Sequence, residues 1–269
     1  MDTAGNSPPS NVQKEKKMKK VNYYQTYEDD FVQSQEQDYK LPKDYKWIHE
    51  NLVYKICSKI LYKIAYILSL IYCRLFLHIK IKNAEILKKY KDEGYFLYGN
   101  HTQPVGDVFT PAHICKEKRI YVIANSSNLK VKIIGGLLPI LGILPIPSSA
   151  GQMKEFMKAV KQRAEEKNCV VVYPEAHVWP YYTKIRPFSA VSFKFPVEMK
   201  LKTFAATTTY QRRKWGKKPK ITVYVDGPFE IDENLSKKEN QEKLAKEIYE
   251  CMEKRCKEST YEYIEYRRK

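Results

Sequence analysis

Several common markers are missing from this 269-residue chain. Its six cysteines (Cys57, Cys73, Cys115, Cys169, Cys251, Cys256) form no CxxC pair, and its five histidines are scattered, so no zinc-type spacing occurs and no metal site is expected. The first 45 residues lack the apolar stretch of a secretory signal. A reducing, cytoplasmic setting follows, with the cysteines serving as small apolar side chains. No internal repeat stands out. Apolar runs are also short: the longest, Ile64 to Cys73, is interrupted by Arg74 and reaches about half of the roughly 20 residues that a spanning helix needs.

The sign of charge in short supply is negative. Net charge is +17, and the excess is unevenly placed. Residues 46–90 carry nine Lys/Arg against Glu50 and Glu85, and residues 199–220 carry eight with no acid at all. Residues 1–45 contribute nothing to the excess. Two basic zones on one fold suit an anionic partner: lipid headgroups, nucleic acid or phosphorylated substrates. The basic runs carry no nucleic-acid motif and lie beside an apolar segment, so membrane lipid is expected and nucleic acid is not.

Three regions follow from composition. Residues 1–45 are polar, with Ser-Pro-Pro and a Lys cluster, and read as a disordered leader. Residues 46–78 read as a membrane-associating helix or helical hairpin: Lys55, Lys59 and Lys63 form one stripe, and Val53, Ile56, Ile60, Ile64 and Ile67 another. Trp47, Tyr54, Tyr62, Tyr66 and Tyr72 suit the headgroup level. The alternatives for this segment are a core helix packed on the domain and a tilted span with snorkelling Lys and Arg. From residue 79 to 269, strand-like and helix-like segments alternate. Ile79–Ile86, Tyr95–Tyr98, Ile120–Ile123, Cys169–Tyr173, Phe204–Tyr210 and Ile221–Val225 read as strands. Val108–Cys115, capped by Asp107, the stretch around Met153–Ala164, and that around Leu244–Met252 read as helices. The fold class is α/β, a mixed sheet flanked by helices.

Chemistry in such sheets sits where strands hand over to helices. One strand end here delivers Asn100-His101, with Asp107 just downstream. A carboxylate that holds an imidazole equips it to take a proton from an alcohol or thiol near neutral pH. Other strand ends carry Pro145–Ser149 and Pro174-Glu175-Ala176-His177.

In order and spacing these blocks resemble the glycerolipid acyltransferase family, across roughly residues 79–252. Asn100-His101 and Asp107 resemble its first block, Gly136 to Pro147 its second, and Tyr173-Pro174-Glu175 with Arg186-Pro187-Phe188 its third. The resemblance implies transfer of a fatty acyl group from acyl-CoA or acyl-carrier protein to the hydroxyl of a lysophospholipid or related glycerolipid. No bound cofactor is expected, since the acyl donor is a co-substrate. It also implies that His101 is the general base and Asp107 its partner, on a protein held peripherally or monotopically at the cytoplasmic face of a membrane. Asn100 and Glu175 are substrate-binding candidates in the matching blocks; Lys184 and Arg186 could supply charge, and His177 a hydrogen bond, to a different acceptor.

The chain departs from the family pattern at identifiable positions. Five residues, Thr102 to Gly106, separate His101 from Asp107 where four are usual. Ala176, His177 and Val178 replace Gly, Thr and Arg, and Pro147 stands near a usual Arg. Two further expectations therefore stand beside the first: an acyltransferase for a non-glycerolipid acceptor, and an inactive lipid-surface module on the same fold.

Overall fold

The computed structural model describes residues 20–32 and 39–269. Nine strands are defined among them: β1 (Lys20–Tyr24), β2 (Lys80–Lys82), β3 (Tyr95–Gly99), β4 (Ile120–Ala124), β5 (Ile143–Pro145), β6 (Cys169–Val172), β7 (Thr203–Gln211), β8 (Lys220–Phe229) and β9 (Ile264–Arg268). Seven form one mixed sheet in the order β2-β8-β7-β3-β6-β4-β5, and β1 pairs with β9 in a separate two-stranded ribbon. From β7 to β5 every pairing is parallel; β8 runs antiparallel to β7, and β2 follows β8.

The central strands are apolar on both faces, as strands covered on both sides must be. Phe96, Tyr98, Val170 and Val172 point into one core layer, closed by α3 (Ala150–Glu165), α4 (Lys194–Met199) and α5 (Lys237–Cys256). Tyr95, Leu97, Cys169 and Val171 point into the other, closed by α2 (Gly106–Ile114) and by Cys73 at the end of the long helix α1 (Leu52–Ile71). α5 begins in a capping box in which Ser236 and Glu239 satisfy each other's backbone N–H groups.

α1 is a single helix that continues through a π-helical turn, Tyr72–Phe76; there is no hairpin. Leu52–Phe76 is long and apolar enough to cross a membrane by length and composition. Its orientation is inverted relative to a core helix. Small or polar side chains face the domain, with the Ser58 hydroxyl donating to Ile140 O at 2.7 Å and the Tyr62 hydroxyl accepting from Ile120 N–H at 2.9 Å. Val53, Ile56, Ile60, Ile64, Ile67, Leu68, Leu75 and Phe76 are all exposed.

Three expectations require correction. The leader is ordered where it is described. Its aromatic residues account for this: Tyr24, Tyr27 and Phe31 pack on Trp179, and Leu41 enters the core with its N–H bonded to Ser148 Oγ at 2.8 Å. Residues 1–19 and 33–38 lie outside the described residues. Trp47 is not at a headgroup level but buried, its indole N–H donating to Pro145 O at 2.9 Å. The strand expected over Ile79–Ile86 ends at Lys82, because Asn83 adopts a left-handed conformation and a 3-10 helix, Ala84–Tyr90, follows.

Candidate active site

β3 ends at Gly99, and the chain turns through residues 100–105 into α2. Asn100 pins this turn to the neighbouring strand: its side chain accepts from Thr208 N–H at 2.7 Å and donates to Thr208 O at 3.0 Å. His101 follows, and its Nδ1 lies 2.7 Å from Asp107 Oδ2. Asp107 sits inside the first turn of α2 rather than capping it, since Val105 occupies the N-cap position. The same Oδ2 accepts the Gln103 N–H at 3.0 Å. Burial pushes the Asp107 carboxyl above its usual range, offset in part by the His101 hydrogen bond and charge and by backbone N–H donors. The His101 side chain keeps 19% of its surface exposed while Asp107 keeps 4%, so the pair presents an imidazole outwards and hides the carboxylate behind it.

Two tyrosines frame the pair. The Tyr173 ring stacks on the His101 ring at 4.5 Å and 18°, and its hydroxyl donates to Asp107 O at 2.5 Å. Gly99 makes room for it, as a Cβ there would stand 2.6 Å from the Tyr173 ring. Tyr210, fully buried on β7, is a hub: its hydroxyl accepts from Gln103 Nε2 at 2.6 Å and shares a 2.7 Å hydrogen bond with Thr102 Oγ1. Neither role is visible along the sequence, although Tyr173 directly precedes Pro174-Glu175. The stacking needs β3 and β6 side by side, which only the sheet supplies.

The expected substrate-binding residues divide. Asn100, Glu175 and Arg186 are buried, and their side chains are engaged by other residues of the chain. Glu175 Oε2 accepts the His101 backbone N–H at 2.7 Å, Oε1 accepts the Arg186 N–H at 2.6 Å, and the Arg186 guanidinium lies 3.4 Å from Oε2. The guanidinium also donates to His177 O and to Tyr27 O, and covers the Trp179 ring at 4.9 Å. Burial pushes the Glu175 carboxyl up, opposed by Arg186. Glu175 therefore fixes the backbone of the histidine loop. His177 remains partly exposed between Glu28 at 3.7 Å and Asp30 at 3.8 Å, and Lys184 is exposed. Among the described residues no cluster of three or more His, Cys, Asp or Glu side chains could hold a metal ion.

Comparison with known proteins agrees with this architecture. Residues 78–209 match the family model described as Acyltransferase. The crystal structure of the 1-acyl-sn-glycerophosphate (LPA) acyltransferase PlsC from Thermotoga maritima is similar in fold, with a TM-score of 0.55 over 79% of this chain and 84% of that one, at 15% identity. No curated protein sequence matches.

Proposed function

We propose, on the premise that this chain belongs to the acyltransferase family, that it moves a fatty acyl group from acyl-CoA or acyl-carrier protein to the hydroxyl of a membrane amphiphile, a lysophospholipid or related glycerolipid. The observation that carries this reading is the 2.7 Å contact between His101 Nδ1 and Asp107 Oδ2 at an exposed strand end. With Nδ1–H held by the carboxylate, Nε2 is left to accept a proton. The acceptor hydroxyl gives its proton to Nε2 as its oxygen bonds to the thioester carbonyl carbon. The tetrahedral intermediate then expels the thiolate as the C–S bond breaks, and the imidazolium returns the proton to sulfur. Asp107 stabilises the transient imidazolium, and the stacked Tyr173 and the Glu175 clamp hold the ring and its backbone in place.

The membrane part of the proposal is supported by α1, whose exposed surface combines apolar side chains with Lys55, Lys59 and Lys63, while Ser58 and Tyr62 are spent on the domain. Because those tethers recur along the helix, it lies on the domain and dips its outer face into lipid, a monotopic arrangement. Val131, Ile133, Ile134 and Leu137, exposed on a segment close in sequence to Ile140, extend this surface. Anionic lipid is the expected partner, on the cytoplasmic face.

One observation favours a second acceptor class. Arg186 is consumed by Glu175, and Val178 and Pro147 stand where the family pattern has Arg, so a forked bidentate contact to a phosphomonoester has no evident donor at these positions. Lys184 supplies only a point charge. The test is an acceptor panel: wild type and His101→Ala are incubated with labelled acyl-CoA and with lysophosphatidate, neutral lysolipids and sugar lipids, and the lipids are resolved by chromatography. The proposal expects a labelled product with at least one acceptor in wild type only. Product with sugar lipids alone would select the second class, and no transfer to any acceptor despite vesicle binding would select the inactive module.

A further inference from the structure

Most of the cations of the second basic zone, Arg212 to Lys218, take no part in the site just described. They lie in the connection between β7 and β8, residues 212–219. β7 runs parallel to β3, with Gly99 opposite Ala206, and continues to Gln211. The connection therefore projects from the same edge of the sheet that carries His101. Trp215 lies in it with 87% of its surface exposed, flanked by exposed Arg212, Lys214, Lys217 and Lys218. Gly216, at φ +86°, lets the chain turn there.

This projection is held in place. Arg213 donates to Pro219 O at 3.0 Å within the connection and to Leu77 O at 3.2 Å across to the end of the long apolar helix. Just before Leu77, Leu75 and Phe76 are exposed. Lys80, from the first basic zone, reaches the same place, pairing in the edge strand opposite Thr222, two residues past Lys220. Glu258, near the base, is turned towards the Tyr224 hydroxyl at 3.4 Å. Cations from both basic zones thus meet beside the helix end. An exposed indole amid cations, next to exposed aliphatic and aromatic side chains, matches the layering of an anionic bilayer surface: phosphates outside, and a headgroup–acyl boundary that favours Trp.

We propose that the 212–219 connection is a second membrane anchor, with Trp215 seated at the headgroup level and Arg212, Lys214, Lys217 and Lys218 on anionic phosphates. Together with Leu75–Phe76 it holds the His101 edge of the sheet against the lipid, so that an acceptor hydroxyl meets the imidazole without leaving the membrane. The inference rests on the membrane reading above, and its test separates the two.

Trp47 and Trp179 are buried, so a change in tryptophan emission on adding vesicles reports Trp215. The full chain is mixed with vesicles of phosphatidylcholine alone or with one-third phosphatidylglycerol, and emission and co-flotation are read. The expected result is a blue shift with quenching by brominated acyl chains on anionic vesicles, absent in Trp215→Ala. Lys217→Ala/Lys218→Ala weakens flotation by about five-fold per lysine, an effect that salt erases in wild type. Turnover of a water-soluble, short-chain acceptor stays at the wild-type level in both variants, which shows that they are folded. Wild-type flotation with unshifted emission, and unchanged flotation of the variants, overturns the anchor and leaves the membrane reading standing. Absence of flotation in wild type overturns both. Tighter, salt-sensitive binding to duplex DNA or RNA than to anionic vesicles overturns the anchor in favour of a nucleic-acid surface.

Discussion

His101 Nδ1 and Asp107 Oδ2 meet at 2.7 Å although five residues stand between them where the family pattern has four. The extra residue is absorbed in the turn at Pro104–Val105, and α2 starts immediately afterwards at Gly106. A side chain at 106 would crowd Gln103 Cβ at 3.0 Å and Leu77 at 3.2 Å, so glycine lets the helix begin early enough to bring the carboxylate round. The contact is further held by Gln103 N–H on the same oxygen.

Asp107→Asn removes the acceptor that fixes Nδ1–H while keeping the side chain's shape. Acyl transfer is expected to fall by about 10²–10⁴-fold, the usual span of a general-base contribution, with the fold intact by circular dichroism. Activity within a few-fold of wild type would show that Asp107 only packs.

The same variant gives a pH signature. Burial raises the Asp107 carboxyl above the usual 3.8. Between those two values the folded chain holds a proton that the unfolded chain has released, so this group's contribution to stability is full at acid pH and is lost as pH rises through the raised value. Asparagine does not titrate. The urea midpoint of Asp107→Asn minus that of wild type should therefore increase as pH rises from below 3.8 towards neutrality, Glu175 being common to both proteins. A decrease over that range would contradict the assigned direction.

Gly99→Ala probes the ring stack. The new Cβ would stand 2.6 Å from the Tyr173 ring, which must tilt away from His101. A stability loss of about 1–3 kcal/mol is expected from overpacking, together with lower transfer activity. Unaltered activity would mean that the stack does not orient the imidazole.

Glu175→Ala leaves Arg186 charged, buried and without its carboxylate, and strips an acceptor from the His101 backbone. Breaking a buried pair from one side costs about 3–5 kcal/mol, read as a lower urea midpoint. Glu175→Gln, which retains one acceptor oxygen, should lose less. Equal midpoints for all three proteins would show that the pair carries no structural weight.

Much of the central sheet was legible, because β3, β4 and β6 are short apolar runs bounded by turn residues and the α3 and α5 regions show clear helical periods. The His101 and Asp107 side chains could be singled out as candidates from the strand-end motif together with the family resemblance, not from their spacing, which is one residue longer than the family pattern. The roles of Glu175 and Arg186 could not: their burial depends on a partner eleven positions away and on the Trp179 ring against the guanidinium. The leader was misread for a related reason. Its sparse aromatics look soluble locally, and their partners, Trp179 and Tyr266, lie more than a hundred residues downstream. β1 and β9 are polar strands whose pairing has no local signature.

The central claim is that His101 takes the proton of the acceptor hydroxyl. Thiol release from acyl-CoA, followed with a thiol reagent in the presence and absence of lysolipid-containing vesicles, measures this most directly. For wild type, release should depend on the lysolipid, and His101→Ala should reduce it by about 10²–10⁴-fold with the fold retained. Acceptor-dependent release at equal rates in the two proteins would contradict the account.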